Sequence, residues 1–120
     1  MSQNVRSYLS ESMQNDLNQI LSVLKKYDAD KVLLYGSVAR GDYKDDSDLD
    51  ICVEGLDNRY FFRAVGECMM KSEHSVSVID MNNTSGYFRE RILREGRIIY
   101  EQNRFEGRSG IRVGESEQSV

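Results

Sequence analysis

The stretch Val32–Val53, VLLYGSVARGDYKDDSDLDICV, decides the fold of this chain. Its first four residues form an apolar run, which predicts a buried strand. Gly36 ends this strand, and Ser37 is expected at the N-cap of one helical turn. After a polar loop, the run that begins at Asp48 alternates and then becomes apolar, which predicts a second strand. Too few residues separate the two strands for a helical crossover, so we expect a mixed or partly antiparallel sheet.

Asp48 and Asp50 differ from the other acidic residues of this stretch. Both lie at the start of a predicted strand, where aspartate is disfavoured, and their i, i+2 spacing places both carboxylates on the same face. Two neighbouring carboxylates raise each other's pKa, which a cation between them would relieve. Mg²⁺ prefers a few carboxylates together with phosphate oxygens. We interpret Asp42, Asp45 and Asp46, in contrast, as parts of a solvated acidic loop.

Gly36 and Ser37 form the second half of the candidate site. Glycine lets a backbone come close to a ligand, and the free N–H groups and the serine hydroxyl of the turn can hold phosphate oxygens. Two other motifs fail in this stretch. An EF-hand loop that begins at Asp46 would have Ile51 where glycine is required, and a P-loop that begins at Gly36 would have Asp42 where lysine is required.

The rest of the chain places helices and strands around this stretch. Apolar residues at helical spacing predict helices over about residues 6–26, 60–69 and 86–95. Alternation of β-branched residues predicts a third strand over residues 75–80, whereas the short apolar run 98–100 is of undecided type. The pattern therefore predicts an α/β fold, in which helices pack on a small mixed sheet.

Composition limits the class of protein. The 120 residues suit one domain, which we place at 1–102, followed by a polar tail at 103–120 that we expect to be disordered. The net charge of −4 argues against direct nucleic-acid binding, and no apolar run is long enough to span a membrane. Cys52 and Cys68 are isolated and are expected to be buried rather than to bind zinc. We expect a cytoplasmic protein.

The motif as a whole resembles that of the minimal nucleotidyltransferases (MNT) of the DNA-polymerase-beta-like superfamily. Their pattern is Gly-Ser, ten residues, then Asp-x-Asp, and here ten residues separate Ser37 from Asp48. The similarity covers about residues 8–101. It implies the nucleotidyltransferase fold, with ATP as the substrate and with Mg²⁺, as two ions, bound by Asp48 and Asp50. It also implies that Gly36, Ser37 and Arg40 bind the nucleotide.

The resemblance further implies a third carboxylate, on a later strand beside the first two. Asp80 matches, because it ends the third predicted strand. It would complete the metal site or take the proton from the attacking hydroxyl. As a strand-terminal residue before two asparagines, however, it could also be a simple turn residue. The roles of Arg40 and Lys44 stay open between phosphate binding and plain surface charge.

The resemblance implies a nucleotidyl transfer but leaves the acceptor open. The small size and the lack of an acceptor domain favour the antitoxin of the HEPN–MNT toxin–antitoxin systems. There the MNT protein adenylylates a tyrosine of its partner, an HEPN-domain RNase toxin. One alternative is transfer to a small molecule such as an antibiotic, which would require an extra helical domain. Another is a non-catalytic binding subunit. Oligomerisation is also left open.

Overall fold

The computed structural model describes residues 9–44 and 46–102. Along these residues the elements are, in chain order, α1 (Glu11–Lys26), β1 (Lys31–Tyr35), α2 (Gly36–Arg40), β2 (Leu49–Glu54), α3 (Asn58–Lys71), β3 (Val76–Asp80), a 3-10 turn (Met81–Asn83), α4 (Gly86–Glu95) and β4 (Arg97–Glu101). The predicted helices and strands are therefore confirmed within the described residues, and the undecided run 98–100 belongs to a strand. The predicted tail at 103–120 lies outside the described residues.

The four strands form one mixed sheet in the order β3-β2-β1-β4. Strand β1 runs antiparallel to β2 and to β4, whereas β2 and β3 are parallel. The register places Tyr35 opposite Asp50 on one side and Ser77 opposite Asp50 on the other. Asp50 therefore lies between the end of β1 and the start of the edge strand β3. The α/β fold with a small mixed sheet is confirmed.

Alternation along β2 separates two apolar clusters, one on each face of the sheet. Leu49, Ile51 and Val53 belong to the larger cluster, which is formed with buried residues of α1, α2 and α3. Cys52 points to the other face and packs in a smaller cluster that includes Ile92 of α4. The two cysteines are buried, as predicted. Because Asp50 alternates with Ile51, its side chain lies on the α4 face.

The α1 face of the sheet is closed by a buried polar clamp. Asp16 of α1 is only 2% exposed. Its carboxylate accepts hydrogen bonds from the backbone N–H groups of Glu73 and His74, and it contacts the His74 ring at Nδ1 over 2.7 Å. These contacts fix the segment between α3 and β3 against α1. They therefore help to set where β3 begins beside β2.

Two features of the described residues complete the fold. The prediction that Ser37 is the N-cap of the helical turn is wrong, because α2 begins at Gly36 with Tyr35 as the N-cap and without a capping side chain. The positive φ of Gly36, 80°, lets the chain turn directly from β1 into α2. Among the described residues, no helix has the length and apolar character that crossing a membrane requires.

Candidate active site

A pocket of about 370 Å³ lies where β1 turns into α2, beside the start of β2. Gly36, Ser37 and Arg40 line it from α2, Tyr35 from β1, and Asp50 from β2. The antiparallel pairing of β1 with β2 brings these residues together, since it sets Tyr35 directly opposite Asp50. Four of the residues predicted for the site therefore line this pocket: Gly36, Ser37, Arg40 and Asp50.

Gly36 and Asp50 fit together so closely that no other residue could replace the glycine without a shift. A Cβ atom at position 36 would lie 2.3 Å from Oδ2 of Asp50, and the φ of 80° is one that L side chains rarely adopt. The carboxylate therefore rests against the bare backbone of the turn. This arrangement fixes the Asp50 carboxylate at the edge of the pocket that Ser37 also lines.

The carboxylate of Asp50 is in an unfavourable electrostatic environment. Burial raises its pKa, the nearby charge of Asp48 raises it further, and the charge of Arg40 opposes the shift. Among the described residues, neither carboxylate accepts a hydrogen bond or forms an ion pair. Asp48 lies just before β2 and is exposed. A bound cation would satisfy both groups, because it would neutralise the two charges that now repel each other.

Asp48 and Asp50 fit one divalent cation that is shared with a phosphate ligand. Mg²⁺ is commonly held by one or two protein carboxylates, with phosphate and water oxygens at the remaining positions. A metal site built only from protein side chains does not fit the same region. The part of the chain that the structure describes contains no group of three or more His, Cys, Asp or Glu residues that could hold a metal.

The structure does not bring Asp80 to this pair, so the prediction of a third carboxylate at Asp80 is wrong. The register places Asp80 opposite Val53, three residues along the sheet from Asp50, which corresponds to roughly 10 Å. Asp80 is 5% exposed, and its Oδ1 accepts a hydrogen bond from the backbone N–H of Asn82 at 2.9 Å. Asp80 is therefore the turn residue of the alternative interpretation.

Ser77 occupies the place that the third carboxylate was expected to fill. It is the β3 residue opposite Asp50, and its side chain is exposed. The register of β3 with β2 decides which residue lies beside the pair, and local sequence does not specify that register. Asp80 is the acidic residue of the strand, but the parallel pairing puts the neutral hydroxyl of Ser77 beside the acidic pair.

Arg40 and Lys44, whose roles the sequence leaves open, lie in different parts of the site region. Arg40 lines the pocket and forms ion pairs with Glu95 at 3.3 Å and with Asp42 at 3.5 Å. Lys44 is exposed, does not line the pocket, and donates a backbone hydrogen bond to Oγ of Ser47. The geometry thus favours a ligand-binding role for Arg40 and a surface role for Lys44.

The α4 side of the pocket was not predicted. Phe88, Arg91, Ile92 and Glu95 line it. Their spacing of three and four places them on one helical face, and this spacing is the signal in the sequence that could have indicated them. Tyr35, at the end of β1, packs edge-on against Phe88 with 6.1 Å between ring centroids. Burial and the charge of Asp50 raise the pKa of Tyr35 to about 12.

Comparison with known proteins agrees with this geometry. The family model described as "Polymerase beta, Nucleotidyltransferase" matches residues 18–105. A protein of Methanocaldococcus jannaschii named "Putative protein adenylyltransferase MJ0604" is 32% identical over 77 residues, which cover 58% of this chain and 77% of that protein.

Solved structures share the fold at lower sequence identity. A toxin–antitoxin complex with AMP-PNP has a TM-score of 0.63 and 20% identity, with 78% of each chain covered. A minimal nucleotidyltransferase has a TM-score of 0.60 and 24% identity, with 79% of this chain and 95% of that chain covered. A complex of tri-AMPylated Shewanella oneidensis HEPN toxin with MNT antitoxin has a TM-score of 0.57 and 18% identity, with 80% and 77% covered. Because this family match covers most of the chain, the protein belongs to the polymerase beta nucleotidyltransferase family.

Proposed function

We propose that this chain is a Mg²⁺-dependent adenylyltransferase that transfers AMP from ATP to a tyrosine hydroxyl of an HEPN-domain toxin, and so acts as its antitoxin. One observation carries the nucleotide part of the proposal. The carboxylate of Asp50 rests against Gly36 and beside Ser37, at one end of a pocket large enough for a phosphate chain. The acceptor part draws support from the proteins that share the fold.

The residues around the pocket divide the work of binding. The Ser37 hydroxyl would donate a hydrogen bond to a phosphate oxygen, and Asp48 and Asp50 would hold the cation. When bound, Mg²⁺ neutralises phosphate charge and stabilises the attacking and leaving oxygens. Catalysis in such a site consists mainly of positioning and charge stabilisation. The close fit of Asp50 to Gly36 contributes to it by fixing where the cation binds.

The acceptor hydroxyl must lose its proton, and Asp80 and Tyr35 are unsuited to take it. Asp80 is buried at the other end of the strand pair, and Tyr35 stays protonated at neutral pH because its pKa is about 12. Glu95, the other carboxylate of the pocket, is paired with Arg40 and Arg91, so Asp48 and Asp50 remain as candidates. A base must lie within hydrogen-bond reach of the proton that it removes. This pair therefore serves as the base as well as the cation site.

The choice of a protein acceptor is supported by the similar proteins. The described residues form one sheet with its helices and contain no second lobe that could enclose a small acceptor. The similar structures include a complex of an AMPylated HEPN toxin with an MNT antitoxin, and the M. jannaschii relative is named as a protein adenylyltransferase. A protein partner would supply its own hydroxyl at the exposed end of the site.

The test is to incubate the purified protein with Mg²⁺, ATP and a cognate HEPN-domain protein, and to measure the partner's intact mass and RNase activity. We expect the mass to increase by one or more adenylyl groups and the RNase activity to fall. Asp48→Asn should abolish both changes. Asp46→Asn, in the same acidic loop but outside the proposed cation site, is the matched control and should behave as wild type. An unmodified partner in the wild-type reaction would contradict the proposal.

A further inference from the structure

The α4 side of the pocket carries Arg91, to which the proposed function assigns no role. Arg91 lies one helical turn from Phe88 and one turn from Glu95, on the same face of α4. Ile92, on this face, is 1% exposed and packs in the smaller apolar cluster of the sheet. Because Ile92 is anchored, the helix cannot rotate freely, and Arg91 is kept at the edge of the pocket.

One carboxylate joins the arginines on opposite sides of the pocket. Oε1 of Glu95 lies 3.3 Å from Nη1 of Arg40 on α2 and 3.6 Å from Nη2 of Arg91 on α4. These ion pairs are long, and the side chains are 40% and 44% exposed for the arginines and 27% exposed for Glu95. Partly exposed pairs of this kind add little to stability. The contacts therefore leave both guanidinium groups available to a stronger anionic ligand.

Charges of opposite sign occupy opposite ends of the pocket. Asp50, with Asp48 beside it, forms the acidic end, and Arg40 and Arg91 form the basic end. The two ends are close, because the charge of Arg40 still influences the pKa of Asp50. A metal–triphosphate complex has the matching pattern, since its cation needs carboxylates and its outer phosphates need cations. Guanidinium groups bind phosphate in a bidentate manner, which makes arginine well suited to this task.

We infer that Arg91, together with Arg40, binds the outer phosphates of the nucleoside triphosphate, the part that leaves as pyrophosphate. Phosphate oxygens replace Oε1 of Glu95 on the two guanidinium groups when the nucleotide binds. Arg91 therefore distinguishes a triphosphate from a monophosphate and also holds the leaving group. This inference rests on the proposed function, because it assumes that the pocket binds a nucleotide.

The experiment measures the dissociation constants of ATP and AMP, each with Mg²⁺, by isothermal titration calorimetry. Arg91→Ala should weaken ATP binding by about tenfold, because a charge-assisted phosphate contact is lost, and should leave AMP binding nearly unchanged. Arg91→Lys should retain part of the affinity for ATP. Arg94→Ala is the matched control, because Arg94 lies on the same helix but does not line the pocket, and it should bind both ligands as wild type does.

The outcomes separate this inference from the function on which it rests. If the wild-type protein binds ATP and Arg91→Ala binds it equally well, the assignment of Arg91 is wrong and the proposed function stands. Equal losses of ATP and AMP affinity would also contradict a role at the outer phosphates. If the wild-type protein binds neither nucleotide, the proposed function fails and this inference fails with it. Thermal melting of each variant confirms that it is folded.

Discussion

Asp16 and Asp50 lie on opposite faces of one sheet and have opposite electrostatic environments. Asp16 is buried under α1, and although burial opposes its ionisation, hydrogen bonds from Glu73 and His74 outweigh that effect and lower its pKa. Asp50 is half-buried on the α4 face, where burial and the charge of Asp48 raise its pKa. The first carboxylate is satisfied within the chain, and the second is left for a ligand.

This contrast shows how the molecule separates stability from function. On the α1 face, apolar side chains and the Asp16 clamp close the core completely. On the α4 face, the smaller cluster ends beside a pocket that holds an unsatisfied acid and two partly exposed arginines. Groups held in unfavourable environments are common at functional sites, because their cost is recovered only when the ligand binds. Substitutions on the two faces should therefore affect different properties.

The largest effect is expected when the acidic pair is neutralised. Asp50→Asn should reduce AMP transfer by about a thousandfold or more, since the cation loses a ligand at the reacting phosphate. The same variant should melt at a higher temperature than the metal-free wild type at neutral pH, because it removes a carboxylate whose ionised form is disfavoured. Radiolabel transfer and thermal melting measure the two effects.

The pH dependence of stability gives a further check on Asp50. Because its pKa is raised in the folded protein, the folded state binds more protons than the unfolded state as the pH rises above the ordinary aspartate pKa of 3.8. Stability should therefore fall as pH rises from 3.8 through the folded pKa, and Asp50→Asn should lack this component. A variant that is less stable than wild type at neutral pH would show that Asp50 stabilises the fold.

Removal of the Asp16 clamp should have the opposite pattern. Asp16→Ala should lower the free energy of unfolding by about 3 kcal/mol, because it leaves buried N–H groups without an acceptor. AMP transfer per folded molecule should change little. The lowered pKa means that the contribution of Asp16 is present above pH 3.8 and is lost as the pH falls. Urea denaturation over a pH series measures it, and a variant as stable as wild type would refute the role of the clamp.

Gly36→Ala should affect both stability and AMP transfer. The added Cβ would lie 2.3 Å from Oδ2 of Asp50, so the carboxylate must move and transfer should fall by about tenfold or more. The positive φ adds about 1–2 kcal/mol of backbone strain. Gly86→Ala is the matched control, because Gly86 also has a positive φ, 61°, but a Cβ there would meet nothing within 4 Å. It should lose stability and keep its activity; equal activity losses would refute the specific contact.

The smallest expected effect tests the place of Ser77 beside the acidic pair. Ser77→Asp should tighten Mn²⁺ binding by about fivefold, since a third carboxylate would adjoin Asp50 and affinity rises with ligand charge. Asp80→Ala should leave Mn²⁺ binding unchanged and cost about 1 kcal/mol of stability, because the acceptor of its turn hydrogen bond is lost. Mn²⁺ binding is measured by electron paramagnetic resonance with a non-hydrolysable ATP analogue. If the Asp80 variant lost Mn²⁺ affinity and Ser77→Asp left it unchanged, Asp80 would belong to the metal site.

The fold could be predicted wherever local pattern and tertiary pairing agree. The run 32–35 is apolar because both faces of β1 are covered, and α1 shows its buried stripe in its spacing. The run 98–100 stayed undecided because three apolar residues suit a helix or a strand equally well. Only its antiparallel pairing with β1, which includes an irregularity between Val32 and Leu33, makes it a strand.

Only those residues of the candidate site that lie close together in the sequence could be predicted. Gly36 and Ser37 directly follow β1, and Asp50 lies on the neighbouring strand β2, so the short connection brings them together without knowledge of the rest of the fold. The position of Asp80 depends on the register of a parallel neighbour, which the sequence does not specify locally. Arg91 depends on how α4 lies on the sheet, which is determined by the burial of Ile92.

Ser77 lies on the edge strand of the sheet and is exposed, so an acceptor does not have to fit inside a cavity to reach Asp50. The nucleotide and the acceptor would approach Asp50 from different sides, the first past Gly36 and the second past β3. Recognition of the acceptor would then depend on surfaces that meet outside the pocket. Such surfaces can change between one pair of partners and the next while the nucleotide chemistry is inherited intact.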